Sequence, residues 1–208
     1  MKKSVNIIYM LMFVLCFTAL TACGGDDEPE SSNRKIIKID GHEAVDLGLS
    51  VKWATCNLGS FSETNVGTKY LFSTHPHNNT EDYALYDPYS NSDLVSKTWG
   101  DKWRLPTSEE MDELMQKCIF EIVFYNGEKI VKLTASNGNY IYLPYYPTTY
   151  GEETYFISSS MTNTSMFGDE SIGMCIDNRR ICKSSTVIDL MNSSSYVPIP
   201  HFIRPVAK

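Results

Sequence analysis

The sequence offers no excess of positive charge to a phosphate backbone. Its 18 lysines and arginines are outnumbered by 25 aspartates and glutamates, for a formal charge of −7. Nucleic acid is thereby excluded as a partner, because that affinity rests on clustered Lys and Arg releasing counterions. An apolar run of the roughly twenty residues that a membrane-crossing helix needs is also missing; the longest stops short, from Ile7 to Leu20. Imidazoles are scarce, with 4 histidines in the chain. Two of them stand close, in His75-Pro76-His77, but only Glu81 and Asp82 are near. Zinc needs at least three protein ligands, so a solvated polar loop is the better reading. Ser158, Ser159 and Ser160 lack the strand–turn–helix glycines of a nucleophile elbow, and no histidine is spaced to serve as a base. No catalytic residue, metal site or cofactor is expected. There is no βαβ rhythm and no repeat.

What is present begins with a targeting signal. Lys2 and Lys3 precede the apolar run, which closes on Leu20-Thr21-Ala22-Cys23. That tetrapeptide resembles the lipobox of bacterial lipoproteins. The resemblance implies cleavage before Cys23, a diacylglyceryl group on its thiol, and a membrane partner held through that lipid. Residues 24–33, GGDDEPESSN, contain nothing to bury and read as a flexible tether. The acidic run Asp26-Asp27-Glu28 is similar to export signals of surface lipoproteins, which points to the outer membrane and the cell surface. The chain divides into a signal (1–22), a lipidated cysteine with its tether (23–38) and a single domain (39–208).

Within the domain, WGDKWRLPTSEEMDEL (99–114) poses the central question. Its acidic and hydroxyl side chains could be a catalytic constellation or the start of a helix. Thr107 and Glu110 form a T-x-x-E capping box, and Pro106 keeps the preceding chain extended. Met111, Leu114, Met115 and Cys118 then recur on one helical stripe. Glu109, Glu110, Asp112 and Glu113 favour the positive end of the helix dipole, and Glu113 can pair with Lys117 one turn on. Every residue type is accounted for by helix initiation. Elsewhere Val45, Leu47, Leu49, Val51 and Trp53 alternate with polar residues, the period-two signal of strands, broken near Gly48. Lys129–Ala135 and Tyr140–Leu143 flank Asn137-Gly138, which predicts a hairpin with a type I′ turn. Ile172–Ile176 and Ile181–Lys183 flank a second, and residues Phe202–Val206 supply a further strand, with Pro205 where one N–H is not needed. Residues 60–98 and 144–156 read as loops. Arg104 is expected to lock the turn before the helix by bonding to backbone carbonyls or an acid, and Arg204 to do the same near the C-terminus. Trp53, Trp99 and Trp103 are expected in the core. The predicted class is α+β, with short antiparallel strands, one clear amphipathic helix and long loops.

Three stretches, VDLGLSVKWATCNLG (45–59), the tryptophan-flanked helix line with Cys118, and IRPV (203–206), occur in an order that resembles the Fibrobacter succinogenes major paralogous domain. That family is common in lipoproteins of Bacteroidetes. The resemblance implies a C-type lectin-like fold, related in architecture to formylglycine-generating enzymes. The calcium-lectin tripeptides are absent here, and neither Cys175 nor Cys182 stands in a motif matching that enzyme's active site. The chain also departs from the family at Tyr70–Thr74, where many members carry an aromatic-Trp-Gly-Glu segment. The resemblance places Cys56 and Cys118 where members frequently carry cysteine, which suggests a disulfide, with two buried free thiols as the alternative. Cys175 and Cys182 form a second candidate pair, set opposite each other by a two-residue turn at Asn178-Arg179 with Cα atoms about 5.5 Å apart. Tyr145, Tyr146 and Tyr150 are the candidate ligand-binding residues, because tyrosine joins a flat apolar ring to a polar tip; the alternative is ordinary half-buried aromatics. The expectation is a non-enzymatic binding or adhesion domain for a glycan or protein, or else an accessory subunit of a surface assembly.

Overall fold

The structure is a computed structural model, and it describes residues 34–72, 82–90, 92–125, 127–147, 153–165, 168–187 and 199–208. These belong to one compact unit. Cys23, Tyr150, His75 and His77 lie outside the described residues.

Among the described residues strands dominate, at 47% against 11% helix, in three sheets. The expected α+β, lectin-like architecture with one clear helix is therefore overturned. The first sheet runs β1 (Ile36–Ile39), β2 (His42–Val45), β3 (Lys52–Ala54), then β14 (Val206–Ala207) and β6 (Trp103–Arg104). The second runs β12 (Ile181–Val187), β11 (Gly168–Ile176), β10 (Thr154–Ser165), β13 (His201–Phe202), β4 (Tyr70–Phe72) and β5 (Ala84–Tyr86). The third is a meander of β7 (Cys118–Tyr125), β8 (Glu128–Ala135) and β9 (Tyr140–Pro144). Two helices, α1 (Leu94–Trp99) and α2 (Ser108–Lys117), lie among the described residues. The strands are not all antiparallel: β10 pairs with β13, and β4 with β5, in parallel. β1 starts inside the stretch assigned to the tether and joins β2 through Asp40-Gly41, both at positive φ (47° and 88°). That is the pair of conformations a type I′ turn requires.

The predicted strands break near Gly48 as expected, into β2 and β3. The Asn137-Gly138 hairpin forms, but its turn differs from the expected one. Gly138 alone has positive φ, the Gly138 N–H donates to Ala135 O (3.0 Å), and the Ala135 N–H donates to Asn139 O (2.9 Å). This is a type I turn closed by a glycine bulge. Asn137 keeps negative φ while its amide, with that of Asn139, donates to Asp46 O (3.0 and 2.8 Å).

Two hydrophobic clusters fill the interior. One gathers Trp53, Met111, Leu114, Val131, Leu143, Phe156 and Phe202. The other gathers Leu58, Phe72, Trp99, Trp103, Leu105 and Ile203. Trp53 and Trp103 are fully buried and Trp99 nearly so, as expected of core residues. The C-terminal segment stitches the sheets together. Phe202 ends β13 in the second sheet, and Val206 begins β14, the strand that joins β3 to β6 in the first. Between them, Ile203 O accepts from the Leu58 N–H and Pro205 O from the Ala54 N–H, both at 2.9 Å.

Candidate functional site

The acidic helix start is a folding device. Thr107 Oγ1 accepts from the Glu110 N–H (3.3 Å), and Glu110 Oε2 accepts from the Thr107 N–H (2.9 Å), completing the capping box. Glu110 is also held by both arms of Arg104 (2.8 and 2.5 Å), whose guanidinium donates in addition to Leu105 O. The expected lock before the helix is thus made. Glu113 accepts from the Ser50 N–H and hydroxyl and from Lys117 (2.9, 2.5 and 2.8 Å), and these donors hold its carboxyl down at about 2. Asp112 pairs with Lys183 (3.0 Å). The Ser-rich stretch docks on the same helix start: Ser160 Oγ accepts from the Ser108 N–H (2.9 Å), and the Ser159 N–H donates to Pro106 O (2.8 Å). Among the described residues no group of three or more His, Cys, Asp or Glu side chains could hold a metal. Thr107→Ala should cost about 1 kcal/mol in urea unfolding, the usual value of a helix cap, with Thr107→Ser close to the parent chain.

Cys56, Cys118, Cys175 and Cys182, the cysteines among the described residues, are free thiols. Cys56 packs beside the second cluster, where its thiol donates to Ser60 O (3.2 Å), whereas Cys118 caps α2 and packs against the first. The suggested Cys56–Cys118 disulfide is not formed, because the helix stripe and the chain after β3 face different clusters. Cys175 and Cys182 do stand opposite each other, through the turn at Asn178-Arg179, and form no disulfide. Burial and the neighbouring Cys182 push the Cys175 thiol up to about 12.

The tyrosines divide. Tyr140 and Tyr142 lie side by side on one face of the meander, ring centroids 5.1 Å apart. That face is closed by Arg34, which lies over the Tyr140 ring (4.6 Å), donates to Tyr140 O (3.2 Å) and pairs with Glu63. Burial pushes the Tyr142 hydroxyl up to about 12. Tyr145 and Tyr146, by contrast, line a groove of about 480 Å³ with Thr64, Asn65, Val66, Glu128, Lys129, Ile130 and Pro147. Both are half-buried. The Tyr146 N–H is held by Thr154 Oγ1 (2.7 Å), and its ring meets Phe202 edge-on at 5.5 Å. The opposite wall is equally fixed. Asn57 Nδ2 donates to Val66 O (2.9 Å), and a side chain at Gly67 (φ 72°) would run into Leu58 O.

Two lysines against these tyrosines were not foreseen: Lys129, which lines the groove, and Lys69, which packs on Tyr146. Lys129 Nζ lies 4.4 Å from the Tyr145 ring centroid, and Lys69 Nζ lies 5.0 Å from that of Tyr146. The Tyr146 hydroxyl raises the Lys69 pKa above its ordinary value. Lysine over a tyrosine face is attracted by the ring quadrupole. Compared with known proteins, the chain matches no family model, no curated protein and no solved structure.

Proposed function

We propose that this chain is a lipid-anchored, non-enzymatic binding module of the bacterial cell surface, and that it takes a saccharide in the groove at Tyr145 and Tyr146. The observation that carries this reading is the groove itself, with two adjacent half-buried tyrosines between braced walls. A fixed aromatic floor with hydrogen-bonding groups at its margin suits a sugar ring, which presents C–H faces and hydroxyl edges. The conspicuous carboxylates are engaged in holding α2, which favours recognition over acid–base chemistry. A glycan array probed with the full chain is expected to give defined positives that Tyr145→Ala reduces at least tenfold. Tyr142→Ala, on the meander face closed by Arg34, should leave them unchanged. An array on which Tyr145→Ala binds like the parent chain would remove the groove from consideration. For the anchor, mass spectrometry of the mature N-terminus is expected to find a lipidated Cys23.

A second reading, an accessory subunit of a surface assembly, draws support from β7. It is an edge of the meander, eight residues long, with Ile119 66% exposed. Long apolar edges invite pairing with another chain. A stoichiometric partner co-purifying with the parent chain but not with Ile119→Lys would favour it.

A further inference from the structure

The groove carries its own statement about ligand charge, which rests on the saccharide reading above. Lys129 pairs in register with Phe124 across β7 and β8, so their side chains share one face of the meander. On the other side Lys129 lies over Tyr145. An apolar ring, an ammonium and a phenol therefore stand in one row. Phe124 is 76% exposed. The next row on that face, Ile122, Val131 and Leu143, is core. The Phe124–Lys129–Tyr145 row is thus the continuation of the core face past the point where the core ends, and it opens onto the groove.

The charges there are arranged asymmetrically. The salt bridges among the described residues engage Arg34, Lys102, Arg104, Lys117, Arg180 and Lys183, but neither Lys129 nor Lys69. Both of these lysines rest on tyrosine rings beside the groove. Two carboxylates are near. Glu128 lines the groove, but strand alternation sends it to the opposite pleat from Lys129. Asp82 is exposed and contributes to the field at Lys69. Among the described residues, the two ammonium groups beside these tyrosines form no ion pair with a carboxylate, in a chain whose overall charge is −7.

We propose that the groove selects saccharides bearing an anionic substituent, a carboxylate or a sulfate on the sugar ring. Lys129 and Lys69 receive the anion, and Phe124 extends the stacking surface laid down by Tyr145. Lys129, held on the Tyr145 face, is placed without giving up its donors and can turn its N–H groups to an anion while the sugar ring lies against the neighbouring aromatics; Lys69 gives one donor to the Tyr146 hydroxyl and keeps the others for the anion.

A matched series of galactose-based polymers tests this with the full chain: neutral galactan, galacturonate oligomers carrying carboxylates, and a sulfated galactan. Affinities are read by calorimetry at low and high salt. Galacturonate, sulfated galactan or both are expected to bind at least tenfold more tightly than galactan and to weaken as salt rises. Preference for one charged polymer identifies the anion. Lys129→Met should cut the charged affinity about tenfold, Lys129→Arg should retain most of it, and Phe124→Ser should weaken every polymer bound. Circular dichroism and urea midpoints matching the parent chain keep a folding defect from passing as lost binding. Galactan bound as tightly as the charged polymers, or Lys129→Met binding them like the parent chain, overturns the charge selectivity and leaves the saccharide groove standing. Failure of all three polymers, together with a blank glycan array, overturns both.

Discussion

Replacing Arg204 with methionine should lower the free energy of unfolding by roughly 3 kcal/mol or more, and lysine at the same position should not restore it. Arg204 is completely buried, and its guanidinium makes three well-placed bonds. Nε donates to Asn57 Oδ1 (2.8 Å), one arm to Ala54 O (3.0 Å) and the other to Tyr142 O (2.7 Å). One side chain thus ties the C-terminal crossing to the end of β3, to the loop behind it and to β9. All three acceptors are neutral. Burial pulls the guanidinium below its ordinary pKa range, the expected cost of taking a cation out of water. That cost is offset by the fixed fork of donors, which a lysine ammonium cannot reproduce in the same plane. Methionine removes the charge but leaves buried acceptors without donors, at roughly 1–3 kcal/mol each. Urea midpoints of Arg204→Met and Arg204→Lys decide the matter. Lysine recovering stability to within about 1 kcal/mol would mean that charge, not the directed fork, holds the crossing.

The second large effect is an acid transition centred on His201. Its ring is buried against Phe72 (4.7 Å) and Tyr155 (5.4 Å), and Nδ1–H donates to Ile199 O (2.9 Å). Burial pushes the imidazole down from 6.5 to about 4. In the folded state the ring stays neutral until about pH 4, while in the unfolded chain it takes a proton near 6.5. Between those values the unfolded state binds more protons, so stability falls as pH falls. At about 1.4 kcal/mol per pH unit, this one group should remove about 3 kcal/mol between pH 6.5 and 4. His201→Gln should be less stable than the parent chain at neutral pH but show a shallower decline over the same interval. Equal slopes in thermal unfolding from pH 7 to 4 would assign the acid sensitivity to other groups.

Helix α2 was the most legible part of the sequence, because its signals are local. The cap, the first-turn acids and the Glu113–Lys117 spacing all act within a turn or so. The two arginines were legible for a related reason, since a guanidinium between apolar neighbours must find carbonyls or an acid. What escaped was non-local or mixed in composition. The Asp40-Gly41 turn was in plain view but lay at the edge of a segment read as tether. The apolar alternation that would announce β10 is interrupted after Ile157 by serines and threonines, and those serines prove to be docking groups for the helix start. β7 reads CIFEIVFY, apolar on both faces, so period two is obscured. That omission has a cost at the site. Tyr145 and Tyr146 could be proposed from their chemistry, but Phe124 and Lys129 join them only once β7 and β8 are in register. Lys69 stands just before β4, at the end of a segment that the sequence pattern leaves unplaced.

The late position of β13 and β14 in the chain has a consequence for how the sheets close. Neither β10 with β4, nor β3 with β6, is joined until residues 201–207 have been added between them. A polypeptide lacking those residues has two incomplete sheets. Both sheets therefore close only when residues 201–207 are in place between their strands.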